Sequence, residues 1–184
     1  MYSTKYITLP QKGNVKMGKK ATKAADNVFC IARYEASEKD DVYSSRESAA
    51  EAIGIDRTRL ARIELGNIVP YPEEVLMLAD AYHSPELCNQ YCSHECPIGK
   101  KTVKELDIQE FDRVALRVLG SLKNIDSLRA RLIAIAEDGV VTEDEYEEFN
   151  SVLDSLDKIS ENAQSLKLWA EKYIVGLEHH KPSK

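Results

Sequence analysis

Apolar positions along this chain recur at intervals of three and four residues, which predicts helices throughout. Val28, Ile31 and Ala32 give the inward face of a first helix, Val28 to Ala36, with Asp26 or Asn27 as its cap and Arg33 as its lone cation. A polar, acidic stretch, Ser37 to Ser44, separates it from a second helix that starts at Ser45, where Ser45 and Ser48 can serve the amino terminus. Ala49, Ala50 and Ile53 form its stripe. Gly54 suits a left-handed cap, Ile55 is the apolar plug of the turn, and Asp56 can cap a third helix whose inward residues are Leu60 and Ile63. Small alanines at 49 and 50 allow the close crossing that two such helices need. After Gly66 a loop stiffened by Pro70 and Pro72 leads into a fourth helix. Glu73 and Glu74 sit there in the first turn, and Val75, Leu76, Leu78, Ala79 and Tyr82 form the apolar face. Pro85 starts a fifth helix, Glu86 to about Tyr91.

From Asp107 the repeats lengthen. Ile108, Phe111, Ala115, Val118, Leu122, Ile125, Arg129, Leu132 and Ala136 form one stripe, broken at Asp138-Gly139. Thr142 and Glu145 make a capping box for a second long helix. Its seam runs through Phe149, Val152, Leu156, Ile159, Ala163, Leu166, Ala170, Tyr173 and Leu177. This is coiled-coil spacing over roughly 45–50 Å. The pattern therefore predicts an antiparallel helical hairpin. Val114, Leu119, Leu128, Ile135, Leu153 and Trp169 fall outside both seams and need another surface. A second copy in a symmetric dimer is the preferred cover, and packing within one chain is the alternative.

The outward face of the third helix carries Arg57, Thr58, Arg59 and Arg62. Arginine can clamp guanine O6 and N7 together, and threonine can meet a base edge or a thymine methyl. The stretch SRESAAEAIGIDRTRLARIELG, Ser45 to Gly66, closely resembles the helix-turn-helix of lambda-repressor-like regulators, the xenobiotic-response-element family. The resemblance covers roughly residues 26–92. It implies that Arg57, Thr58 and Arg62 read bases, that Arg46 and Asn67 hold phosphates, and that Arg33 pairs with Glu64 structurally; Arg59, on the same outward face, is assigned a phosphate as well. Ala49 departs from the bulkier aliphatic residue usual in that family, which affects packing rather than contacts, and the 37–44 linker is longer than usual.

Net charge −6 looks unsuited to a nucleic-acid partner until it is divided. Residues 1–100 carry 13 basic and 14 acidic side chains, and residues 101–184 carry 12 and 17. Charges are screened beyond about 8 Å at physiological salt, so the local face decides phosphate contact. Residues 1–25 hold Lys5, Lys12, Lys16, Lys19, Lys20 and Lys23 without an acid, and read as a flexible basic arm that tracks phosphates or as a solvated tail. No stretch is apolar enough to span a membrane, and no signal-peptide core opens the chain, so a reducing cytoplasm is expected.

Cys88, Cys92, His94 and Cys96 lie within nine residues and are candidate ligands for zinc or an iron–sulfur cluster. Along one continuous helix Cys88 and Cys96 would stand about 12 Å apart, so a metal needs the helix to end near Cys92 and the chain to fold back. A thiol redox switch and plain burial of small side chains are the other readings. Regulators of the resembled family from Firmicutes and their mobile elements carry a similar cysteine-rich segment, which implies a shared role. An EF-hand around Gly139 fails, because its first and third ligand positions would be Ala134 and Ala136.

The chain is thus expected to be all-α: a basic arm (1–25), a helix-turn-helix domain with a cysteine-rich end (26–100) and a hairpin for dimerisation or interaction (101–184). The resemblance implies a transcriptional repressor acting on double-stranded DNA as a homodimer. Two alternatives remain at this point, a protein-interaction adaptor that keeps the fold without DNA binding, and a metal- or redox-responsive regulator. No enzyme is expected, because the four histidines lack a partnered nucleophile and no glycine loop suits phosphate.

Overall fold

The computed structural model describes residues 24, 26–137 and 139–174, and the lysine-rich arm, Asp138 and Leu177 lie outside them apart from the buried Ala24. Among the described residues there are nine α-helices and no strand. Asn27 caps α1 (Val28–Ser37), its Oδ1 accepting from the backbone N–H groups of Phe29 and Cys30. The buried face of α1 is Phe29, Cys30, Ala32, Arg33 and Ala36, whereas Ile31 is 38% exposed. The face is rotated from the expected one because Arg33, not Ile31, is drawn inward. The acidic linker forms a 3₁₀ turn, Asp41–Tyr43, and Tyr43 meets the Tyr82 ring edge-on at 5.4 Å.

The two helices expected around Gly54 form as α2 (Arg46–Ile53) and α3 (Arg57–Glu64). Ser45 Oγ accepts from Ser48 N at 3.1 Å, and Asp56 Oδ1 accepts from Arg59 N at 2.9 Å. Gly54 stands at φ 81°, a conformation that only glycine takes without a steric cost. Ala49, Ala50, Ile55, Leu60 and Ile63 are buried together. Helix α4 (Pro72–Ala81) adds Val75, Leu78 and Ala79 to that core, and Tyr82 and Leu87 close it. Leu76, expected inside, is 63% exposed. Its neighbours Val75 and Leu78 fill the stripe without it.

Helix α5 (Glu86–His94) runs past Cys92, and α6 (Gly99–Thr102) folds back against it. A Cβ on Gly99 would fall 2.1 Å from the Cys92 carbonyl oxygen, so only glycine permits this approach. Residues 103–110 carry no regular structure and are pinned by Asn89, which donates to Lys104 O at 3.0 Å and accepts from Leu106 N at 2.8 Å.

The first long stripe is two helices, α7 (Phe111–Leu122) and α8 (Ile125–Ala136), rather than one. Gly120 disfavours helix, Ser121 turns its hydroxyl back onto Val118 O at 2.7 Å, and Asn124 leaves the helical region at φ −109°, ψ 24°. Both lie antiparallel along α9 (Tyr146–Tyr173), with Phe111 against Trp169 at one end and Arg131 near Ser151 towards the other. Thr142 and Glu145 form the expected capping box, with Glu145 Oε2 accepting from Thr142 N at 3.0 Å. The buried seam is shifted from the expected one. Val114, Leu128, Ile135 and Trp169, assigned outside the seams, are buried, while Ala115, Arg129 and Ala136 are not. Val152 and the half-buried Phe149 and Ile159 keep their places against α8.

Candidate functional site

Glu64 ends α3 fully buried and organises the site from beneath. Arg33 Nε donates to its Oε1 at 2.6 Å, and Arg46 Nε donates to its Oε2 at 2.6 Å. Arg33 Nη1 also donates to the carbonyl of Tyr43 at 2.9 Å. Although burial alone would lower it, the bond and charge of Glu64 carry the Arg33 guanidinium well above its ordinary value. It therefore stays charged at every working pH. The expected Arg33–Glu64 pair is present.

Above this buried anchor, α3 turns its other face outward. The Arg57 side chain is 66% exposed, with Nη1 only 3.8 Å from Glu47 Oε2, a loose surface pair. Thr58 and Arg62 are exposed as well. The helix closes with Gly66 at φ 69°, Gly66 N donating to Ile63 O and Asn67 N to Arg62 O. These paired bonds fix where the exposed Asn67 side chain leaves the surface.

Two of the expected phosphate holders are occupied within the fold. Arg46 has its Nε on Glu64, its side chain is only 28% exposed, and its Nη2 is buried without a hydrogen-bond partner. Arg59 is bound through Nε and Nη2 to Glu74, the second contact at 2.8 Å, and its guanidinium lies 4.3 Å from the Tyr71 ring centroid. The Arg59 bond, opposed by burial, holds the Glu74 carboxyl below the usual carboxylate range. Glu74 also accepts from Tyr71 N at 2.7 Å. The sequence pattern marks Glu73 and Glu74 only as partners of the helix dipole. Their position beside an arginine of another helix was not visible in the spacing. The exposed cations of α3 are therefore Arg57, with only its loose Glu47 contact, and Arg62.

The cysteine segment does not assemble as four ligands. Helix α5 continues to His94, beyond the end that ligand sharing required. His94 is exposed, its Nδ1 near Ser93 Oγ at 2.9 Å and its Nε2 3.4 Å from Glu105. Cys96 Sγ accepts from Gly99 N at 3.5 Å. No group of three or more His, Cys, Asp or Glu among the described residues is placed to hold a metal ion. Burial, with Cys92 nearby, raises the Cys88 thiol.

No protein-family model, curated protein or solved structure matches this chain. No helix among the described residues is long and apolar enough to cross a membrane.

Proposed function

We propose that the protein is a sequence-specific DNA-binding transcriptional regulator, a repressor, that lays α3 in a major groove and acts as a homodimer. The supporting observation is the division of labour among the arginines of α2 and α3. Arg33 and Arg46 hold Glu64 and so set the angle of α3, Arg59 is tied to Glu74, and Arg57, Thr58 and Arg62 remain exposed on one short helix. A helix so anchored presents its outer side chains from a fixed backbone, which favours base reading. In this reading Arg57, Thr58 and Arg62 meet base edges and Asn67 a phosphate. Arg46 and Arg59 position the helix and contribute only their remaining N–H groups to the backbone. The lambda-repressor-like helix-turn-helix and the carboxy-terminal hairpin belong to this proposal, the hairpin as the dimer contact that spaces two α3 helices.

Selection of bound duplexes from a random pool at physiological salt tests it. The expected result is an enriched palindrome with half-sites about one helical turn apart. A single enriched half-site keeps the DNA function and removes the dimer. Absence of enrichment overturns the proposal in favour of a protein-interaction adaptor. The exposed Leu116, Leu119 and Ile133 on α7 and α8 favour that second reading, because they offer a helical partner an apolar face.

A further inference from the structure

A cavity of about 490 Å³ lies between α1, α5, the irregular segment before α7 and the last turn of α9. Its apolar lining comes from Val28, Ile31, Ala32, Leu87, Leu106 and Ile108. Its charged lining is four carboxylates, Glu35, Glu86, Glu105 and Asp107, against one ammonium, Lys172.

That ammonium is already engaged. Lys172 Nζ bonds to Glu86 Oε1 and lies 3.6 Å from Glu35 Oε2. The cavity thus has spare negative charge and a hydrocarbon wall. Its volume is within the range of small-molecule sites. The carboxylates do not cluster as cation ligands, since no three are placed to share a metal ion. An anion would meet three carboxylates beyond the one that Lys172 neutralises.

We propose that this cavity binds a small organic ammonium ion carrying a hydrocarbon body. The ammonium faces the carboxylates of Glu86, Glu105 and Asp107, while the body covers Ile31, Leu106 and Ile108. Because α1 and α5 belong to the amino-terminal core and Lys172 to α9, an occupant bridges the two halves of the chain. The site does not depend on the DNA-binding reading and stands or falls by itself.

Calorimetric titration of the full-length protein with phenethylamine, phenethyl alcohol and phenylacetate tests it. Saturable binding and a raised Tm are expected with the amine alone. Glu86→Gln removes one carboxylate charge from the lining, leaves Lys172 less compensated and should weaken the amine by at least about tenfold. Lys172 retains Glu35 in that variant. Ile31→Lys, at a half-open position, places a cation in the cavity and should abolish amine binding with the Tm retained. Equal binding of the alcohol, preference for the carboxylate, or no binding of the amine would each overturn the proposal. So would undiminished binding by folded Ile31→Lys protein.

Discussion

Glu64 receives the Nε–H of Arg33 at 2.6 Å with the two side chains 0% and 2% exposed, so the end of α3 is tied to α1 by a fully buried ion pair. The second Glu64 oxygen takes Arg46 from α2. One carboxylate therefore fixes three helices. Removing it leaves two guanidinium groups facing each other in the interior. Glu64→Gln should cost about 3–5 kcal/mol, the usual result of breaking a buried pair from one side. Adding Arg33→Met should recover part of that loss, because the remaining buried charge leaves with it. Urea unfolding of both variants checks this. A loss under about 1 kcal/mol for Glu64→Gln would remove the anchoring role.

Arg62 and Arg59 stand on the same helix and should behave oppositely. Arg62 is exposed and pairs with no carboxylate among the described residues, so Arg62→Ala should leave the Tm nearly unchanged. On a selected operator it should cost about 1–3 kcal/mol and relax preference at one base position. Arg59→Ala releases Glu74 and uncovers the Tyr71 ring, so its first effect should be a lower Tm. Thermal melts and competition binding on both variants separate the roles. Loss of base preference in Arg59→Ala but not in Arg62→Ala would reverse the assignment.

The Arg59 bond also sets a pH dependence. Because Glu74 is held below the usual carboxylate range in the folded protein, the unfolded chain binds its proton first as pH falls. The stabilisation is therefore complete above the ordinary glutamate value. It is lost as pH falls below the ordinary glutamate value and through the depressed one. Tm measured across that window should fall less steeply for Glu74→Gln than for the parent protein. Parallel acid limbs would show that Glu74 does not contribute.

Burial sorts the thiols. Cys30 lies in the core of α1, and burial, then the Glu64 charge, raise its thiol. Cys92 and Cys96 are partly open. Alkylation of the native protein at about pH 8 should modify these first and Cys30 only as the chain unfolds. Mass spectrometry of peptides after timed quenching reads the order. Early modification of Cys30 would mean that α1 opens locally.

The turn from Ala49 to Ile63 was legible because each of its residues answers a local requirement: a cap, a left-handed glycine, a plug. Contacts between distant helices were not. Nothing in the spacing distinguishes Arg59, which reaches Glu74, from Arg62, which does not. The long helices misled for a different reason. Alternative stripes on α7 and α8, Ala115–Arg129–Ala136 or Val114–Leu128–Ile135, differ by one residue, about 100° around the helix. Both stripes keep the same heptad spacing across the break at Lys123-Asn124, so packing against α9 decides which one is buried. The cysteine reading depended on where α5 stops, and helix ends are poorly fixed by pattern alone.

Leu116 and Leu119 on α7 are 66% and 65% exposed, one turn apart on a face that α9 does not cover. In the homodimer reading this face meets its own copy, so each substitution acts twice across a two-fold axis. Burying a leucine contributes about 1.5–3 kcal/mol, and replacing both with glutamate would also set like charges together. Leu116→Glu with Leu119→Glu should therefore raise the dimer dissociation constant far more than tenfold, while the monomer's helicity by circular dichroism stays unchanged. Sedimentation across a concentration series measures both proteins. A parent chain that is monomeric throughout removes the dimer, and selected DNA should then show one half-site. A parent dimer that survives the double substitution moves the contact to another face. In that case Leu116 and Leu119 remain open to a different helical partner, which the adaptor reading requires.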